Sequence, residues 1–145
     1  MDKVLVVYAD RHLTTATIAR AAGDQLTKDG FQVDVRRAAA APDAWKYAAV
    51  IVGSPTSAGR WRRDVIHYLR AQAPDLAERP TWLFQCLEES RGQDGHHIPP
   101  VVSRLCFEVD AGPIKTFREN ARHTEVTEWA RRIGDHLHAG VLTPA

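Results

Sequence analysis

The sequence predicts an α/β fold: a three-layer, doubly wound, parallel five-stranded sheet in the order 2-1-3-4-5. Three observations carry this expectation. Segments 4–8, 48–52 and 81–86 are near-continuous apolar runs, as expected of parallel strands covered on both faces. Segments 31–36 and 105–110 alternate apolar with polar, as strands do when one face or one edge meets water. Between them lie stretches with apolar residues at helical spacing, so strand and helix alternate along the chain. Edges at the second and fifth strands give the order, and its ligand crevice lies outside the carboxyl ends of the first and third strands, where the winding reverses.

The first strand, Val4-Leu5-Val6-Val7-Tyr8, runs into a polar turn, Asp10-Arg11-His12-Leu13-Thr14-Thr15. A helix follows over 15–29, with Ile18, Ala22 and Leu26 on one stripe and Gly30 as its stop. Strand 31–36 comes next, then a short connection at 38–41 with Pro42, then Trp45 and Tyr47, which read as core or edge cover. Strand 48–52 delivers a Gly/Ser/Pro loop to the crevice, and helix 62–73 follows with Val65, Ile66 and Leu69 facing inward. After strands 81–86 and 105–110, helix 124–138 is the clearest: Val126, Trp129, Ala130, Ile133 and Leu137 keep helical spacing, with Thr124 as N-cap.

A chain of 145 residues with 44% hydrophobic content is one ordinary globular domain, 1–145, able to bury a core without metal or disulfide support. No apolar run approaches the roughly 20 residues of a membrane span, and Met1-Asp2-Lys3 enters a strand directly, so a cytoplasmic protein is expected. Cys86 and Cys106 lie outside any C-x-x-C spacing and read as small buried hydrophobes. A net charge of +1 offers no broad footprint for nucleic acid.

A strand that exits into the start of a helix wraps its loop around an anion, because unpaired backbone N–H groups and the helix dipole both favour negative charge. No G-x-G-x-x-G follows the strand, and the turn carries hydroxyls at Thr14 and Thr15. A hydroxyl-lined loop suits the terminal phosphate of a mononucleotide.

The third strand continues into Gly53-Ser54-Pro55-Thr56-Ser57-Ala58-Gly59-Arg60-Trp61. Together with residues 4–15, with Trp82-Leu83-Phe84 and with Glu128-Trp129-Ala130-Arg131, this resembles the flavodoxin family over about residues 3–138, and nearest its small single-domain branch related to flavodoxin-type protoporphyrinogen oxidase. That branch shows a first loop like Y-A-S-x-x-G-S-T, a second like G-S-P-x-Y-A-G-R-W and a third strand end like W-L-F-S-S-G-P. The resemblance implies an FMN site. Its phosphate would sit at Asp10, Arg11, His12, Leu13, Thr14 and Thr15, with Thr14 and Thr15 binding it. Ser54, Pro55, Thr56, Ser57, Ala58, Gly59, Arg60 and Trp61 would line one side of the isoalloxazine, and Gln85, Cys86, Leu87 and Glu88 the other.

The chain departs from that pattern at several points. The first small hydroxyl residue is Asp10, the glycine is Leu13, the stacking aromatic is Ser57, and Ser-Ser-Gly-Pro has become Gln85-Cys86-Leu87-Glu88-Glu89. A carboxylate beside a phosphate dianion is repulsive, by about 1 kcal/mol per unit-charge pair at 4 Å in water. Asp10 can alternatively cap the helix and occupy the anion site internally. Leu13 bears a side chain where backbone should approach the ligand, and carries a cost if the loop needs positive φ. Ser57 forgoes stacking worth about 0.5–1.5 kcal/mol.

The resemblance implies an FMN-dependent oxidoreductase or electron-transfer protein, whose partner is a small-molecule substrate or a redox partner protein. Near-neutral charge disfavours an acidic diffusible carrier. The alternative is a flavin-free descendant using the same crevice for non-redox catalysis or for binding. Arg60-Trp61-Arg62-Arg63 can grip an anion or shield a flavin, or can be a solvated helix start. Glu88, Glu89, Arg91, Asp94, His96 and His97 gather acid–base groups beside the crevice; His96 and His97 are adjacent rather than at i, i+4, so no metal site is expected. His136 and His138 read as surface residues compatible with the helix dipole.

Overall fold

The computed structural model describes residues 2–11, 13–87 and 98–140. Strand β1 (Lys3–Tyr8) leads to α1 (Thr14–Lys28), β2 (Gln32–Arg37) and β3 (Ala49–Ser57). A two-residue strand β4 (Arg60–Trp61) and helix α2 (Arg63–Ala77) follow, then β5 (Thr81–Leu87), α3 (Pro100–Glu108), β6 (Lys115–Arg118) and α4 (His123–His138). The sheet runs β2-β1-β3-β5-β6, all parallel, with β4 folded back antiparallel on β3. With that short strand set aside, the order is the expected 2-1-3-4-5.

Alternation across β1 explains its apolar run. Val4, Val6 and Tyr8 face one core with α1 and α4, while Leu5, Val7 and Ala9 face a second with α2 and α3. Ile51 and Val52 divide in the same way on β3, and Phe84 and Leu83 on β5. In the first core the rings of Phe84, Phe117 and Trp129 meet edge to face at centroid distances of 5.5–6.0 Å. The edge strand β2 is half-buried at Val33, Asp34 and Val35, and Tyr47 Oη donates to Asp34 Oδ2 at 2.7 Å across it.

Segment 105–110 is not a strand. Pro100 opens α3, where a missing N–H costs nothing, and Val102, Leu105 and Val109 supply the buried stripe at helical spacing. Phe107 is 87% exposed, so the apparent alternation came from a solvent-facing aromatic. The true edge is β6, whose four residues bury only Phe117 fully. Three smaller expectations also change. Helix α2 runs through Pro74 to Ala77, because Pro74 is exposed and Leu76 extends the buried stripe. Thr124 lies inside the first turn of α4, with Arg122 at the N-cap and no side-chain cap. Trp45 is 58% exposed rather than cover, whereas Tyr47 is buried as expected.

His136 meets Trp82 edge-on at 5.8 Å and His138 stacks on Phe31 at 4.5 Å, so both pack on aromatics rather than only facing solvent. Both cysteines are free, Cys86 buried and Cys106 half-buried. Among the described residues no helix is long and apolar enough to cross a membrane.

Candidate functional site

The crevice opens where β1 and β3 part, after the Ala9 N–H donates to the Gly53 carbonyl at 3.3 Å. Gly53 is required by close approach: a Cβ there would lie 2.0 Å from the Phe84 ring. The carboxyl ends of β1, β3 and β5 lie side by side here.

The first loop leads to Leu13, which sits at the N-cap of α1 in the left-handed region at φ 69°. The backbone shape that favours glycine is therefore kept, with a leucine in it, and the side chain is 67% exposed. No side chain caps the helix, so Asp10 does not take the capping role open to it. The first intrahelical acceptor is the Leu13 carbonyl, which receives both the N–H and the hydroxyl of Thr17 at 2.9 Å. The N–H groups before it are left facing the crevice without an intrahelical partner. Beside them, Thr15 Oγ1 and Asp10 Oδ1 are buried with no hydrogen-bond partner among the described residues. Burial pushes the Cys86 thiol up to about 12; the nearby Thr15 hydroxyl opposes that rise without reaching hydrogen-bond geometry, and Asp10 adds to it. Thr15 and Cys86 are thus buried near one another under the loop, with the half-buried Asp10 close enough to be felt by the thiol.

The second loop is a tight hairpin. Ser57 and Arg60 pair across Ala58 (φ 51°) and Gly59 (φ 71°), the positive-φ pair that a two-residue turn between twisted strands demands. Behind the turn almost every polar group is committed. Ser54 Oγ accepts from the Arg62 N–H and donates to the Pro55 carbonyl, both at 2.9 Å. Gln85 Oε1 accepts from Thr56 Oγ1 at 2.9 Å and from Trp61 Nε1 at 3.1 Å, while Gln85 Nε2 donates to Thr116 Oγ1 at 3.1 Å. Four strand ends are tied through one fully buried amide.

The expected site residues therefore divide. Ser54, Pro55, Thr56, Trp61, Gln85 and Cys86 are buried as the walls of the crevice, and Leu87 is half-buried at its edge. Arg11, Leu13, Ala58 and Arg60 are exposed, and Thr14, Ser57 and Gly59 are half-exposed. Arg11 Nη1 donates to Ser57 Oγ, which brings the first and second loops together. His12, Glu88 and the acid–base groups Glu89, Arg91, Asp94, His96 and His97 lie outside the described residues. Sequence reasoning missed the β3–β4 hairpin, although Ala58-Gly59 carried its signal, and missed Thr116, on a four-residue edge strand without one.

Set against the FMN that the resemblance implies, the first loop fits at the phosphate. An uncapped helix start and a partnerless threonine hydroxyl both offer donors there. Asp10 Oδ1 can only be satisfied by a donor, which a ribityl hydroxyl supplies and a phosphate dianion does not.

The sequence model of a flavodoxin domain matches residues 5–126. No curated protein matches the chain. Among solved structures, rubredoxin:oxygen oxidoreductase from the anaerobe Desulfovibrio gigas superposes with a TM-score of 0.75 at 19% identity. That match covers 96% of this chain but 37% of the oxidoreductase, so the chain spans little more than a third of it. A flavodoxin from Pseudomonas aeruginosa, solved as a point mutant, gives 0.73 at 17% identity over 94% of this chain and 99% of that one. A flavodoxin from the domain Archaea gives 0.71 at 15% identity over 96% and 98%. At such identities the likeness is one of fold.

Proposed function

Because the chain belongs to the flavodoxin domain family, we propose that it is an FMN-dependent oxidoreductase or electron-transfer protein whose phosphate loop has drifted from the family pattern. The observation that carries this reading is the buried, partnerless Thr15 Oγ1 beside the uncapped start of α1. A polar atom buried without a partner costs about 1–3 kcal/mol, a cost that a phosphate in that position would remove.

In this reading Thr14, Thr15 and the first N–H groups of α1 hold the phosphate, with the Asp10 carboxylate beside it as the loop's departure from the family pattern. The Ser57–Arg60 turn borders one side of the ring and Leu87 the other. Bound FMN supplies the exchange of one or two electrons; the protein orients the ring, walls off water and sets the local charge. Nearly balanced charge, +1 in 145 residues, favours a small-molecule substrate over a strongly charged carrier partner, which supports the substrate-acting branch of the family.

The test is titration of purified protein with FMN, read by quenching of flavin fluorescence and by the visible absorption of the complex. Saturable quenching that weakens in Thr15→Val supports the proposal. Colourless protein that leaves the fluorescence of both FMN and riboflavin unchanged overturns it.

A further inference from the structure

Next to the flavin crevice, and sharing its wall at 57–61, the β3–β4 hairpin and the first turn of α2 border an open cleft of about 460 Å³. Among the described residues, Arg11, Arg60, Arg62 and Arg63 line it, with one acid, Asp64. The whole chain balances 19 Lys and Arg against 18 Asp and Glu, so among the described residues Arg60, Arg62 and Arg63 with the one acid Asp64 are a local excess even with Arg11 set aside. Among the described residues, no carboxylate lies within ion-pair distance of Arg60, Arg62 or Arg63.

The cations are carried on fixed backbone. Arg60 follows the positive-φ turn Ala58-Gly59, the Arg62 N–H is bound to Ser54 Oγ, and the intervening Trp61 is pinned by its indole N–H to Gln85. Arg11 reaches in from the first loop and is anchored on Ser57. Helix α2 starts here with no side-chain cap, so its dipole adds positive potential at the same place. Gathering like charges raises the free energy of the ligand-free protein. A multiply charged anion reverses the sign of that term, and guanidinium groups match the geometry of carboxylate and phosphate oxygens.

We propose that this cleft binds a small molecule through a multiply charged oxyanion group, either a phosphate ester or a polycarboxylate. The size suits one such group with a modest body, since small-molecule sites begin at roughly 300 Å³. The proposal does not depend on the flavin reading.

The experiment uses inorganic pyrophosphate and citrate as probes, titrated calorimetrically into the whole chain at low and high salt. Alongside, the arginine Nε–H signals are followed by NMR, and the Arg62→Gln/Arg63→Gln variant is compared. The expected result is saturable binding of at least one probe, weakened by salt and weakened about tenfold or more in the variant, with signals of Arg60 and Arg63 shifting. The stronger probe tells a phosphate source from a carboxylate one. Absence of saturable binding, or equal binding by the variant, overturns the site. FMN is titrated into the same two proteins. If the substitutions weaken FMN and pyrophosphate equally, and the two ligands compete, the cleft is only a seat for the flavin phosphate and the separate site is overturned. If neither protein binds FMN but pyrophosphate still distinguishes them, the flavin reading fails and this one stands.

Discussion

The first and second loops of the crevice leave the same sheet one strand apart, and they handle their polar groups in opposite ways. Under the second loop, Ser54, Thr56, Trp61, Gln85 and Thr116 satisfy one another through five hydrogen bonds once the Arg62 N–H and the Pro55 carbonyl are included. Under the first, Asp10 Oδ1 and Thr15 Oγ1 are buried with no partner among the described residues, and Leu13 holds a backbone shape that a leucine disfavours. Satisfied polar networks rigidify and specify; unsatisfied ones store free energy that a ligand can release. The second loop is thus scaffold, and the first carries the unsatisfied groups on which the proposed flavin site rests.

The largest effect that tests this contrast falls on the scaffold. Gln85→Leu keeps the volume of the side chain but leaves the Thr56 hydroxyl and the Trp61 indole N–H buried without an acceptor and takes a donor from Thr116. At about 1–3 kcal/mol for each group stranded, the variant should lose roughly 3 kcal/mol in urea unfolding. A loss under about 1 kcal/mol would show that water replaces the amide and that the second loop is not the tied element described.

Next in size is a dependence on alkaline pH centred on the first loop. The folded thiol of Cys86 releases its proton only at about 12, against 9.0 ordinarily, chiefly because it is buried. Its neutral form is favoured by folding, so the stabilisation is complete below about pH 9 and is lost as pH rises from there toward 12. Tyr47, raised from 10.0 to about 12 by burial and its bond to Asp34, acts in the same direction. The urea midpoint should therefore fall between about pH 8 and about pH 10.5, and less steeply in Cys86→Val. A midpoint that does not move, or an unchanged slope in the variant, would remove Cys86 from the buried groups under the first loop.

The contrast between the loops also marks what the sequence could reveal. Strands β1, β3 and β5 were legible because burial on both faces leaves an unbroken apolar run. Helix α4 was legible because one stripe is apolar over four turns. Segment 105–110 misled because six residues with a period of two fit a strand, while the helical stripe Val102, Leu105, Val109 extends beyond that window. The place of Thr14 and Thr15 at the turn from β1 into α1 was legible because it follows from local order in the chain. The Gln85 network was illegible: it joins residues 24 to 31 positions apart, and nothing local to Gln85 announces Thr56, Trp61 or Thr116 as partners.

A smaller effect should come from Thr15→Val, which removes a hydroxyl that bonds to nothing in the ligand-free protein. Replacing an unsatisfied buried polar group by an apolar one of the same shape is neutral or stabilising, so the ligand-free variant should gain up to about 1 kcal/mol. The sign is opposite to that of Gln85→Leu, and this opposition is the content of the comparison. If FMN binds, its affinity should fall about tenfold in the same variant, measured by fluorescence titration. A variant that loses stability in the absence of ligand would mean that Thr15 has a partner, and the first loop would be scaffold like the second.

The smallest effect, and the one that separates the parts of the first loop, concerns Asp10 and Leu13. Asp10 stands where the family pattern offers a small hydroxyl, and its Oδ1 is buried without a partner. If it faces the phosphate, its charge opposes a dianion by about 1 kcal/mol in water and by more when partly desolvated. Leu13, at φ 69°, carries a conformational cost of about 1 kcal/mol that glycine lacks. Asp10→Ser with Leu13→Gly should therefore raise FMN affinity by about tenfold, and riboflavin affinity by less, since riboflavin has no phosphate to be repelled. Asp10 does not cap α1, so the substitution should not destabilise the ligand-free protein through a lost cap. Calorimetric titration of both flavins into both proteins decides the outcome. Equal gains would place the benefit in the relaxed backbone at Leu13 and leave Asp10 facing the ribityl chain. A fall in affinity for both would mean that Asp10 accepts a hydrogen bond the flavin needs, and that the chain departs from its family here by holding the sugar more tightly than the phosphate.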